Sequence, residues 1–229
     1  KITSISLDAK ETKTFQKMLN HFREIEHLSI ENPVFNESIK EQCNQSDLVI
    51  ISTHNTNERP YRNYGITSQE FDFIREVSKN CNVLLVHHGN PYALKNKTHL
   101  EQTNSILVAY NDDELTQQLS AQAVFGAFPI NGLLPVSIDK NYMVGTGINT
   151  RATQILKYTI PEEAGLSSSF TKKVDSIALD AIKNKATPGC QILVASNSKI
   201  VYNKSLGHHT YLKEEEVNAV ERNGDKLTV

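Results

Sequence analysis
The chain has 229 residues, a formal net charge of −2 and 38% hydrophobic residues. That length holds one large or two small domains. The charge balance excludes a broadly basic, nucleic-acid-binding face, and no apolar run approaches the ~20 residues of a membrane span.

The first element is under way almost at once. Ile2 to Leu7 alternates apolar and polar residues as a strand does, so the start at Lys1 reads as a cut end with no signal peptide left. Phe15, Met18, Leu19, Phe22 and Ile25 then share one face at helical spacing. Asp47 to Thr53 is an apolar run of strand length. Thr67 with Glu70 three residues on is a capping box, and Phe71, Ile74 and Val77 give the helix behind it a buried stripe. Asn82 to His88 and Ser105 to Tyr110 are again continuous apolar runs. Such runs, separated by helices, suit parallel strands covered on both faces, with Val49, Ile51, Leu84, Val86, Leu107 and Ala109 expected in central strands. Asn111, Asp112, Asp113 and Glu114 put carboxylates at a helix start, where the helix dipole favours them, and Leu115, Leu119 and Ala123 follow at four-residue steps. The sum over residues 1–138 is an α/β fold: a mainly parallel open sheet with helices on both faces, flavodoxin-like in plan.

Residues 139–160 carry glycines and polar residues with little periodicity and read as a linker. A second pattern opens at Pro161. Ser168 or Ser169 can cap a helix with the face Phe170, Val174, Ile177, Ala178, Ala181 and Ile182, ended by Pro188 and Gly189. Cys190–Ala195 and Ile200–Ser205 flank Ser-Asn-Ser-Lys as a hairpin would. Residues 161–229 are thus expected to hold a small helix-plus-hairpin segment. Beyond Leu212 the chain is charged. Cys43, Cys81 and Cys190 show neither metal spacing nor a disulfide framework and read as buried free thiols.

Two stretches resemble known families. Val83–Leu94 (VLLVHHGNPYAL) and Ser105–Ile138 (SILVAYNDDELTQQLSAQAVFGAFPINGLLPVSI) give a strand, a Gly-Asn-Pro turn, a second strand, an acidic helix start and a Gly/Pro-rich stop. This order resembles the C-terminal α/β domain of glycoside hydrolase family 3. Pro161–Tyr211, beginning PEEAGLSSSF, is similar to the start of a serine β-lactamase-type domain. Family 3 enzymes fused to such a domain resemble β-N-acetylhexosaminidases. The resemblance implies a retaining glycosidase acting on terminal β-linked N-acetylhexosamine, in the cell envelope, the periplasm or outside the cell. It also implies a partner within the same polypeptide, an N-terminal barrel that carries the nucleophilic Asp. No cofactor is expected.

Candidate chemistry is sparse. Ser169-x-x-Lys172 and Ser196-x-x-Lys199 have the spacing of a lactamase nucleophile and its base. One falls at a helix cap and the other in a hairpin turn, where small polar residues are expected anyway, and the resembled family would place its own Ser-x-x-Lys beyond Val229. No catalytic residue is therefore assigned. The loop after Thr53 holds His54, Asn55, Glu58, Arg59 and Arg62 at a strand's carboxyl end, the edge where open α/β sheets place ligands. Glu58 there is either an acid in a two-domain site or part of a solvated loop. His87 and His88 point to opposite faces of a strand, so the pair does not chelate one ion, and no metal is expected. Asn90 and Tyr92 follow as contacts to a barrel or a sugar. The expected ligand-binding set is His54, Asn55, Glu58, Asn90 and Tyr92. The alternatives are a serine hydrolase of β-lactamase or esterase type, and a non-enzymatic ligand-binding α/β domain. Residues 161–211 bury too little on their own and are expected to dock elsewhere or to self-associate.

Overall fold
The computed structural model describes residues 1–95, 100 and 102–211. The chain divides into two compact units, Lys1–Ala152 and Thr153–Val229.

The first unit is an all-parallel sheet. Its strands are β1 (Ile2–Leu7), β2 (Glu26–Ile30), β3 (Leu48–Thr53), β4 (Val83–His87) and β5 (Ser105–Val108), in the order β2-β1-β3-β4-β5. Helices α1 (Thr14–Leu19), α2 (Glu37–Gln45) and α3 (Ser68–Asn80) connect β1 to β2, β2 to β3 and β3 to β4, and α4 (Glu114–Val124) follows β5. The mainly parallel α/β fold expected from the apolar runs is therefore present. Its cause is visible within β3. Val49 and Ile51 join a core with Phe71, Ile74 and Val77 of α3 and with Ile39 and Cys43 of α2. Ile50, between them, joins a separate core with Phe15 and Leu19 of α1 and Ala121 of α4. Alternate residues of one strand thus serve opposite layers, and the run must be apolar throughout. Each such side chain, fully buried, contributes about 1.5–3 kcal/mol. Helix α3 starts on the expected capping box: Thr67 N donates to Glu70 Oε2 at 2.8 Å and Glu70 N to Thr67 Oγ1 at 3.2 Å.

Several elements depart from the expectation. Strand β2 and helix α2 were not foreseen. An edge strand reading EHLSI is half-buried, and α2 turns only Ile39 and Cys43 inward, so neither leaves a strong period. Helix α1 stops at Leu19, so Phe22 and Ile25 pack from beyond its end. Leu107 lies in β5, which is an edge strand, and Ala109 lies just past it, although its N–H still reaches His87 O at 2.8 Å. In α4 the buried positions are Gln117, Ser120, Ala121 and Gln122, while Leu115 is 65% exposed. The inward face of that helix is polar because of what it meets at the sheet edge.

Residues 130–150 fold back on themselves, with Leu134 N to Thr146 O and Gly145 N to Leu134 O at 2.9 and 2.8 Å. The second unit holds α5 (Ser169–Lys183) and a three-stranded sheet of order β6-β8-β7, from β6 (Lys157–Tyr158), β7 (Gly189–Ser196) and β8 (Lys199–Gly207). The helix and hairpin are as expected; the two-residue β6, with no period of its own, adds to them. Asn197 and Ser198 both have positive φ, 51° and 60°, the two-residue turn whose twist matches a hairpin. Of the expected α5 face only Ala178 is buried, and Ile177 is 73% exposed. No helix among the described residues is long and apolar enough to cross a membrane. The charged stretch after Leu212 lies outside the described residues.

Candidate functional site
The strand order reverses between β1 and β3, so the connections leaving their carboxyl ends run to opposite sides and open a crevice there. Asp8 after β1 and Asn55 after β3 both take left-handed backbone conformations, φ 51° and 53°, which Asp and Asn tolerate better than most residues. Asn55 Nδ2 donates to Asp8 O at 2.6 Å and ties the two loops together.

Beneath this rim lies a buried polar chain. Ser6 and Ser52 hydroxyls meet at 2.9 Å, Ser52 Oγ lies 3.0 Å from His54 Nε2, and His54 Nδ1 lies 2.7 Å from Asp112 Oδ1. A carboxylate only accepts, so His54 Nδ1 donates to Asp112; in the neutral ring Nε2 then accepts from the Ser52 hydroxyl. Asp112 also accepts from Asn55 N at 2.7 Å and from Gln117 Nε2 at 2.9 Å, and Gln117 Oε1 accepts from Phe15 N at 3.1 Å. Burial alone would raise the Asp112 carboxyl, but the hydrogen bond and charge of His54 and the Asn55 amide outweigh it and bring it below the ordinary value.

Two further histidines sit alongside. His87 donates from Nε2 to Asn90 O at 3.0 Å, which leaves Nδ1 to accept from Thr53 Oγ1 at 2.9 Å. His88 Nε2 meets Ser120 Oγ at 2.8 Å, and Ser120 gives its own proton to Gln117 O at 3.1 Å. His88 Nδ1 is buried without a well-formed hydrogen bond. Its ring stacks on His54 with centroids 4.9 Å apart and takes the edge of Phe15 at 5.3 Å. Burial pushes His87 down to about 4 and His88 to about 3, His54 adding to the effect on His88.

Two catalytic or ligating readings suggest themselves, and the geometry rejects both. Ser52, His54 and Asp112 have the spacing of a nucleophile, base and orienting acid. Ser52 and His54 are 0% exposed, however, so no acyl substrate reaches the hydroxyl. His54, His88 and Asp112 also bring donor atoms within 4.8 Å of one another. Two rings stacked 19° from parallel cannot aim lone pairs at a common ion about 2.0–2.2 Å away, and both nitrogens of His54 are taken. The group is a structural network.

The expected ligand residues divide accordingly. His54 is buried, with both ring nitrogens hydrogen-bonded within the chain. Asn55, Glu58 and Tyr92 are exposed and Asn90 is half-buried. Asn90 Nδ2 donates to Glu58 Oε2 at 3.3 Å and joins the loop after β3 to the loop after β4. Asn90 Oδ1 accepts from Tyr92 N at 3.0 Å, and the Tyr92 ring lies 6.4 Å from that of Tyr64, nearly parallel to it. Thr56 Oγ1 donates to His88 O at 2.5 Å, and a Cβ on Gly89 would meet the Thr56 side chain at 2.8 Å, so the loops touch closely. Ser52, Asp112, Gln117 and Ser120 were missed as partners; Asp112 lies 58 residues from His54, beyond any local spacing rule.

No protein-family model matches the chain, and no curated protein matches it. One similar solved structure is described as "A unique GCN5-related glucosamine N-acetyltransferase region exist in the fungal multi-domain GH3 beta-N-acetylglucosaminidase". The similarity covers 90% of this chain and 26% of that chain, at 15% identity and a TM-score of 0.44. At that level the likeness carries no inference about function.

Proposed function
We propose that this chain is the C-terminal α/β portion of a family 3 glycoside hydrolase of β-N-acetylhexosaminidase type, non-catalytic by itself, whose loops after β3 and β4 face carbohydrate. The resemblance of Val83–Ile138 is the starting point. The observation that carries the reading is the Asn90–Glu58 hydrogen bond. It gathers a carboxylate, two amides (Asn55 and Asn90) and an exposed tyrosine at the carboxyl edge of a parallel sheet. Such a mixture of polar groups and one aromatic face suits a sugar. Buried His54 and His87 hold the rim: His54 through Asp112 and Asn55, His87 through the Asn90 carbonyl. The second unit is read as the opening of a fused serine β-lactamase-type domain, supported by its helix and hairpin alone. Ser169 Oγ bonds Ser167 Oγ at 3.0 Å, and no nucleophilic role is assigned to it.

The test is the full-length polypeptide with a chromogenic β-N-acetylglucosaminide. Hydrolysis is expected there and not with this chain alone. Glu58→Gln and Tyr92→Ala in the full-length protein should each lower kcat/KM by about tenfold, the effect of losing ~1.4 kcal/mol of binding. A full-length protein that does not cleave the substrate, or that ignores both substitutions, would overturn the proposal.

A further inference from the structure
At the opposite, amino-terminal edge of the first sheet lies an open cleft of about 700 Å³. Its walls are the ends of α2 and α3 and the residues that lead into β3, β4 and β5. Cys43 and Cys81 reach it from the apolar layer behind. One lysine and one aspartate also line it, and the rest of the lining is amide and hydroxyl side chains. Lys79 Nζ already donates to Glu76 Oε1 at 2.9 Å, and the Asp47 side chain is 88% exposed, so neither offers a buried charge.

Three of the amides are held in place by the backbone. Asn80 Nδ2 donates to Glu76 O at 2.7 Å and Asn82 Nδ2 to Asp47 O at 3.2 Å. Asn104 Oδ1 accepts from Val83 N at 2.8 Å, and Asn104 Nδ2 donates to Asn82 Oδ1 at 3.3 Å, joining the entrances to β4 and β5. A side-chain amide has two N–H groups and two acceptor lone pairs. Each of the three therefore keeps an N–H that these bonds do not use. Their positions are already fixed, so they lose little freedom when a ligand binds. Asn44 and Gln102 lie exposed beside them.

We infer that this cleft is a binding site for a neutral saccharide, separate from the loops after β3 and β4. The lining selects the ligand class. A mainly apolar molecule needs apolar walls, and only two thiols provide any here. A phosphate or carboxylate is held by a cation, and the lysine of the cleft is paired. An extended peptide needs pockets for its alternate side chains, which the amide wall does not supply. Sugar hydroxyls both donate and accept, as side-chain amides do, and a neutral ligand brings no charge that must be compensated. The cleft is open and no aromatic ring lines it among the described residues, so the affinity is expected to be millimolar.

The test is an NMR titration of the isotope-labelled 229-residue chain, following its side-chain amide signals. Cellobiose and N,N′-diacetylchitobiose are the probes. Only the second rests on the glycosidase reading; the first tests the cleft without it, and hydrolysis by the full-length polypeptide is a separate readout, so the two readings fail independently. At least one disaccharide should shift the Asn80, Asn82 and Asn104 amides saturably at millimolar concentration. Asn80→Leu combined with Gln102→Leu, both at exposed positions, should weaken that binding by about tenfold, read at Asn82 and Asn104, with the backbone spectrum elsewhere that of the parent. Gln102→Leu alone should weaken it by about threefold. No saturable shift with either disaccharide, shifts confined to Asn55 and Asn90 at the other edge, or an affinity unchanged in both variants would each overturn the inference. A tighter response of the same amides to triglycine or to inorganic phosphate than to either sugar would overturn it as well.

Discussion

Lowering the pH should unfold the first unit through His87 and His88. Both rings are buried and neutral, and their ordinary value of 6.5 is depressed to about 4 and about 3. The unfolded chain therefore binds protons that the folded chain refuses. With more protons bound in the unfolded state, stability rises with pH. The contribution is complete above about pH 6.5 and is lost as pH falls through 6.5 toward 4 and 3. At pH 5 each unfolded histidine gains about 2 kcal/mol from proton binding, which the folded ring forgoes, so the pair costs about 4 kcal/mol relative to pH 7.5. Against a domain stability of ~5–15 kcal/mol this is a large share. Asp112 does not contribute in this window, because a depressed carboxyl loses its stabilisation only as pH falls below the ordinary carboxylate range. His27, depressed by burial, acts in the same direction as the pair. The assay is native-state hydrogen exchange of the Ile51 and Leu85 amides in β3 and β4, corrected for intrinsic rates, at pH 7.5, 6 and 5. It reads the first unit without the second. His88→Gln should remove about half of the pH-dependent loss. A free energy of opening that is flat to within ~1 kcal/mol between pH 7.5 and 5, or a His88→Gln profile parallel to the parent, would refute the reasoning.

Other outcomes follow from single contacts. Ser52→Ala strips His54 Nε2 of its donor and Ser6 of its partner, and should cost about 1–3 kcal/mol in denaturant melts; an unchanged midpoint would mean that the buried chain contributes nothing. Gly65 has φ 96°, and a Cβ there would sit 2.9 Å from Asn55 O and Thr56 Cα. Gly65→Ala should therefore destabilise by at least about 1 kcal/mol and raise exchange at Asn55–Asn57, unlike an ordinary surface glycine. Residues 161–229 expressed alone should show no cooperative thermal transition independent of concentration, since α5 buries only Ala178 and β7 is an edge strand. A sharp transition insensitive to dilution would show that the piece folds by itself. In sedimentation the same fragment should associate as concentration rises, and a strict monomer would exclude self-pairing through residues 161–211.

Local pattern was enough for some features and not for others. The runs 48–53, 83–87 and 105–108 had to be strands because both faces of each are covered, and a residue's neighbours in sequence record that directly. The Thr67–Glu70 box and the Asn197-Ser198 turn were equally legible, since each is closed by groups within three residues. Glu58, Asn90 and Tyr92 could be named as candidates because strand ends mark the sheet edge. What His54 does could not be. Its partners are Ser52, two residues away, and Asp112, 58 residues away, and the register of β3 against its neighbours together with the start of α4 decides that they meet. The polar inner face of α4 has the same origin: Gln117 and Ser120 face inward because Asp112, Phe15 N and His88 need partners there. Cys43 and Cys81 share a cleft only because α2 and α3 pack on one face of the sheet. Periodicity records which side of an element is buried; which group waits on that side depends on contacts across the sheet, and only the tertiary structure supplies those.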